Sequence, residues 1–197
     1  NELDKIGARI KKPVGIYLIG GCAMSFRKLK ETTKDIDIVF KNKADYEVFC
    51  GALFGAQYFQ PFTIQLEHEM LEATKMFENK DKFHLDLFVK TVCRKLELSN
   101  KMVERAEFYK NYGNLSVYLL SKEDIFLFKG LASESRKRDL SDMKAIYSNL
   151  EWKIILEELT KQRLSKDLIE LFTRRLEEFK STYDLDVPII KTLKEMT

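Results

Sequence analysis

Residues 18–40 read LIGGCAMSFRKLKETTKDIDIVF, and the alternation at the end of this stretch sets the frame for the rest of the chain. An apolar run closes on Gly20-Gly21, a mixed basic segment follows, and Asp35 and Asp37 then alternate with Ile36 and Ile38. The run 16–19 reads as a buried strand and 22–30 as a helix, with Ala23, Phe26 and Leu29 recurring along one face. Thr32-Thr33 breaks that helix, and residues 36–40 return to the period of a strand. Residues two apart in a strand project from one face, so Asp35 and Asp37 stand side by side while Ile36 and Ile38 anchor the other face. Two neighbouring carboxylates in an apolar setting repel each other, and a divalent cation relieves that cost directly.

Working outward, residues 83–89, FHLDLFV, repeat the pattern. Asp86 lies between Leu85 and Leu87, with His84 on its face. If the two strands are neighbours, three carboxylates converge, and His84 is an accessory candidate beside them. Such a set of hard oxygen donors suits Mg²⁺ or Mn²⁺, which are commonly held by few carboxylates together with substrate phosphates. Gly20-Gly21, at a strand-to-helix turn, leaves room for a phosphate to approach the backbone N–H groups. The spacing is neither a dinucleotide fingerprint nor a P-loop.

Between these strands a helix is expected over 43–53, with short extended segments at 57–59 and 63–66 around Pro61. Strands over 71–77 and 83–89 are joined by the polar turn Asn79-Lys80-Asp81, and residues 115–120 form another strand after a turn at 111–114. From Ser121 the character changes. Ser121-Lys122-Glu123-Asp124 reads as a capping box, and helical segments follow at 137–149, 152–162, 166–180 and 188–196. The expected organisation is an α/β (α+β) core over 1–120, a mixed sheet flanked by helices, with a helical C-terminal region over 121–197 packed on it.

Composition narrows the function classes. A formal charge of +3 is too small to announce a nucleic-acid track, although Arg27, Lys28, Lys30 and Lys34 oppose only Glu31 in residues 22–34. Three dispersed cysteines and two histidines without an HExxH motif indicate neither a disulfide framework nor a zinc hydrolase. No apolar run has the length of a membrane span, and the expected location is cytoplasmic.

The order Gly20-Gly21, a helix, Asp35-Ile36-Asp37-Ile38 and a later strand aspartate, Asp86, resembles the nucleotidyltransferase superfamily of polymerase-beta-like fold. Its motif is hG[G/S], a helix, then DhDh. TKDIDIVF and the stretch 121–143, SKEDIFLFKGLASESRKRDLSDM, are similar to the minimal and AbiEii-like toxin branches. The resemblance implies Asp35 and Asp37 as metal ligands and Asp86 as a third ligand or a base. It also implies two Mg²⁺ or Mn²⁺ ions, and Gly20, Gly21, Lys34 and Lys129 at the nucleotide. Asp139 and Asp142 would orient basic neighbours or accept a proton. The implied activity moves a nucleoside monophosphate from an NTP such as ATP to an acceptor hydroxyl on RNA, a tRNA end or a protein, with an antitoxin as possible partner. The other reading is an inactive nucleotidyltransferase-fold module that binds a nucleotide or a partner.

Overall fold

The computed structural model describes residues 2–31, 33, 35–61, 74–132 and 137–197. Lys34, His68, the extended segment expected over 63–66 and the first residues of the strand expected over 71–77 lie outside the described residues. Two compact units divide the chain, Asn1–Ser121 and Lys122–Thr197.

In the first unit a helix α1 (Glu2–Gly7) precedes β1 (Val14–Ile19), α2 (Gly20–Phe26), β2 (Asp35–Phe40), α3 (Lys43–Gly55) and β3 (Tyr58–Phe59). Then come β4 (Lys75–Asn79), β5 (His84–Val89), a small ribbon of β6 (Thr91–Val92) and β7 (Leu96–Glu97), α4 (Asn100–Arg105), β8 (Glu107–Tyr112) and β9 (Leu115–Leu119). Seven of the strands form one sheet in the order β3-β4-β5-β2-β1-β9-β8. The β2/β5 and β1/β9 pairs are parallel and the others antiparallel, so the sheet is mixed, as expected from the sequence.

The central strands are apolar because they are covered. Ile16, Leu18, Ile38, Phe40, Leu85 and Leu87 are all buried. They lie on one sheet face, where the Phe40 ring meets Tyr46 and Phe49 of α3 edge-on, at 5.6 and 5.2 Å between centroids. Asn42 caps α3, its Oδ1 accepting the Asp45 N–H at 2.9 Å, which fixes where the helix leaves β2. At the far edge α1 is held by a buried polar group. Glu2 Oε2 accepts from the Tyr58 hydroxyl at 2.7 Å and from Asn79 Nδ2 at 2.8 Å.

In the second unit, α5 (Lys122–Ala132) is buried over Glu123 to Leu131, and α6 (Lys137–Ile146), α7 (Trp152–Gln162), α8 (Lys166–Tyr183) and α9 (Ile190–Glu195) complete the helical set among the described residues. A helix buried all round is the central member of a bundle. Phe126 of α5 meets Trp152 and Phe179 edge-on at 5.4 and 5.7 Å, and Gly130 is required where α5 meets α8, because a Cβ there would enter the Phe172 ring. No described helix is long and apolar enough to cross a membrane.

Candidate active site

Strand pairing brings the acids together. β2 and β5 run parallel with Asp35 opposite His84 and Asp37 opposite Asp86. Registered residues of neighbouring strands project from the same face, so Asp35, Asp37, His84 and Asp86 share one side of the sheet. Ile36 and Leu85, on the other side, are buried. Asp86 is only 2% exposed, whereas Asp35 and Asp37 are half-buried at the strand start. The Asp35 N–H donates to Thr33 Oγ1 at 3.1 Å, which fixes the chain as it enters β2.

β1 lies against the other edge of β2, with Ile19 opposite Asp37, so the turn after β1 arrives over that aspartate. Gly20 there has φ +61, and a Cβ on it would run into Asp37 Oδ2. Glycine is required twice at this point, for the left-handed backbone and for the space the carboxylate fills. The next glycine is also overlaid: Lys30 Nζ lies 3.5 Å from the position a Cβ of Gly21 would take. Burial pushes the Cys22 thiol up to about 12, with the Asp37 carboxylate adding to the effect, so Cys22 stays a neutral thiol rather than a nucleophile. His84 Nδ1 lies 3.8 Å from Glu78 Oε2 of β4, a neighbour supplied by the β4/β5 hairpin.

Residues two apart on a strand have Cα atoms about 6.6 Å apart, a span that two Asp side chains close on one ion only when both turn toward each other. Among the described residues no group of three or more His, Cys, Asp or Glu side chains is placed to hold a metal ion. The convergence expected of three carboxylates is thus one of register and face rather than a ready cage. The pair Asp37 and Asp86, registered on neighbouring strands beneath a turn that carries no side chain at Gly20, does fit a hard cation whose remaining ligands are phosphate oxygens and water.

Lys129, Asp139 and Asp142 form a cluster within the second unit. Lys129 Nζ lies 2.7 Å from Asp139 Oδ1 and 2.7 Å from Asp142 Oδ2, and all three residues are buried. Burial works to lower the Lys129 pKa, but the two carboxylates outweigh it and hold the ammonium above its ordinary value.

Sequence reading missed two residues of the first unit's site. Lys30 was only one member of a basic run, and nothing in its spacing announces that it folds back over Gly21. Glu78 was legible in principle, since the hairpin turn after it sets it opposite His84. Exposed Phe108 and Tyr109 carried no signal either, because an edge strand without a buried face has no period to mark them.

No protein-family model matches the chain, and no curated protein does. Among solved structures, the chain is similar to the lincosamide antibiotic adenylyltransferase LnuA in its lincomycin-bound form, at 16% identity and a TM-score of 0.44, over 68% of this chain and 87% of that one. It is similar to JHP933 from Helicobacter pylori at 15% identity and a TM-score of 0.43, over 95% and 77%. A protein from H. pylori described as a nucleotidyltransferase aligns at 16% identity and a TM-score of 0.44, over 98% and 87%.

Proposed function

We propose that the chain is a nucleotidyltransferase that moves a nucleoside monophosphate from an NTP to an acceptor hydroxyl. The observation that carries this reading is the registered pair Asp37 and Asp86 with Gly20 pressed against the Asp37 carboxylate. Acids two strands wide on one face, beneath a turn without side chains, form a place where a polyphosphate chain and its counter-cations are tolerated.

In this reading Asp37 and Asp86, with Asp35 at the strand entry, would hold Mg²⁺ or Mn²⁺, one or two ions. When bound, these ions supply positive charge against the triphosphate and the departing pyrophosphate. Gly20 keeps the turn after β1 free of side chains above the Asp37 carboxylate, and Lys30, lying over Gly21, offers a cation to a phosphate there. The new bond joins the acceptor oxygen to the α-phosphorus, the bond from that phosphorus to the bridging oxygen breaks, and the hydroxyl proton passes to a carboxylate, for which buried Asp86 is our choice. Pyrophosphate leaves with the electron pair. His84, beside Glu78, orients the rim of the acid pair. In the second unit, Lys129, Asp139 and Asp142 act on each other and serve that unit's integrity.

The test is incubation of the protein with each α-labelled NTP, Mg²⁺ and total RNA or protein extract. Label transfer lost in Asp37→Ala and in Asp86→Asn is the expected result. Nucleotide binding without transfer, unchanged by Asp37→Ala, would leave an inactive binding module instead.

A further inference from the structure

We propose that the exposed edge made by β8 and the C-terminal end of α2 binds single-stranded nucleic acid. β8 is the last strand of the sheet, and Glu107 to Asn111 are all exposed. Phe108 is 53% and Tyr109 38% exposed, unusual for large rings on a strand. Both are braced from behind: Tyr109 packs on Phe26 of α2 at 4.6 Å between centroids, and Phe108 meets Tyr118 edge-on at 5.7 Å, itself stacked on Tyr17 at 5.2 Å. Rings held in place this way present flat faces without an ordering cost when a base stacks on them.

Lys110 follows Tyr109 on the strand, and Arg27 and Lys28 follow Phe26 at the end of α2; Arg27 is paired with Glu107 at 3.3 Å, which leaves Lys28 and Lys110 as the cations this edge offers. Two aromatic platforms interleaved with cations match the repeat of bases and phosphates in an unpaired strand.

Strand addition by a second copy or a peptide is the competing use of a sheet edge. The register between β8 and β9 shifts between Phe108 and Lys110, an irregularity that breaks the even row of outward backbone groups such pairing needs. Side chains rather than backbone are what this edge offers.

The inference needs no transfer chemistry, so it stands or falls apart from the catalytic reading. Fluorescence anisotropy of a dye-labelled oligouridylate of about twelve nucleotides, titrated with the full chain at low salt and without NTP, measures it. Saturable binding that weakens steeply with salt is expected. The Phe108→Ala/Tyr109→Ala pair should weaken it by about tenfold or more, Lys110→Gln should flatten the salt slope, and Asp37→Asn should leave it intact. Retained far-UV circular dichroism in each variant excludes misfolding, and Lys110→Glu, at an exposed position, serves as an independent second variant. No binding at low salt, equal binding by the aromatic variant, or a dimer in sedimentation that Phe108→Ala dissociates would each overturn the proposal.

Discussion

At Gly20 two demands coincide, a left-handed backbone and the Asp37 carboxylate lying where a side chain would start. Gly20→Ala is therefore expected to destabilise the first unit by about 1–3 kcal/mol from the backbone alone, read as a lowered urea midpoint. If the chain carries the transfer proposed above, displacement of Asp37 should lower it more than the stability loss explains. Lys129 makes a different case. Lys129→Met leaves Asp139 and Asp142 buried without their shared cation, and loss of about 3–5 kcal/mol is the expected scale, measured in the unfolding transition that tryptophan fluorescence of Trp152 reports. Glu2 gives the pH dependence. Burial raises its pKa, but the hydrogen bonds from Lys5 and Tyr58 more than offset this and hold the carboxyl below its ordinary 4.5. A carboxyl depressed on folding contributes stability that is complete above 4.5 and is lost as pH falls through its folded value. Glu2→Gln should accordingly show a flatter fall in melting temperature with acid than the wild-type chain. The residues at this scale that were legible in sequence, Asp35, Asp37 and Asp86, were so because an acid in an apolar alternation has few bland explanations. Lys30 and Glu78 were not, since their roles depend on where a turn returns the chain.

Elements with strict periodicity were read correctly from sequence, and those without it were not. β1, β2, β5, β9, α3 and the helices after residue 121 fall close to their expected ranges because each buries one face, or nearly all of itself, and so carries the period of its backbone. α1 and α4 escaped because six residues make fewer than two helical turns, and the β6/β7 ribbon because strands of two residues hold no alternation. β8 was taken partly as a turn, since an edge strand exposed over five of its six residues has no buried face to impose alternation. In the second unit, Phe179 touches Phe126, Tyr147 and Tyr183 at 5.7, 5.8 and 5.4 Å between ring centroids. Phe179→Ala removes the shared member of that cluster and should cost about 3–5 kcal/mol, seen as a lowered denaturant midpoint with far-UV helicity retained before the transition.

For the whole chain, all three cysteines are free and buried, so oxidation state should not govern stability. A thiol reagent should modify none of them quickly in native buffer, Cys22 least of all, and all three promptly in urea, while reductant leaves the melting temperature unchanged. Rapid labelling of a native cysteine would show that its burial is not maintained in solution. Each unit holds its own core, the sheet with α1 and α3 in one and the set around α5 in the other. The sequence by itself determined the mixed α/β class, the change to helices near residue 121 and the identity of the acids, because burial writes a period of two or of 3.6 directly into the order of residues. Tertiary structure alone decided that Asp37 faces Asp86, that Lys30 returns over Gly21 and that Phe108 and Tyr109 face solvent. These depend on which strands become neighbours, a choice made by packing across the whole sheet that no local pattern encodes.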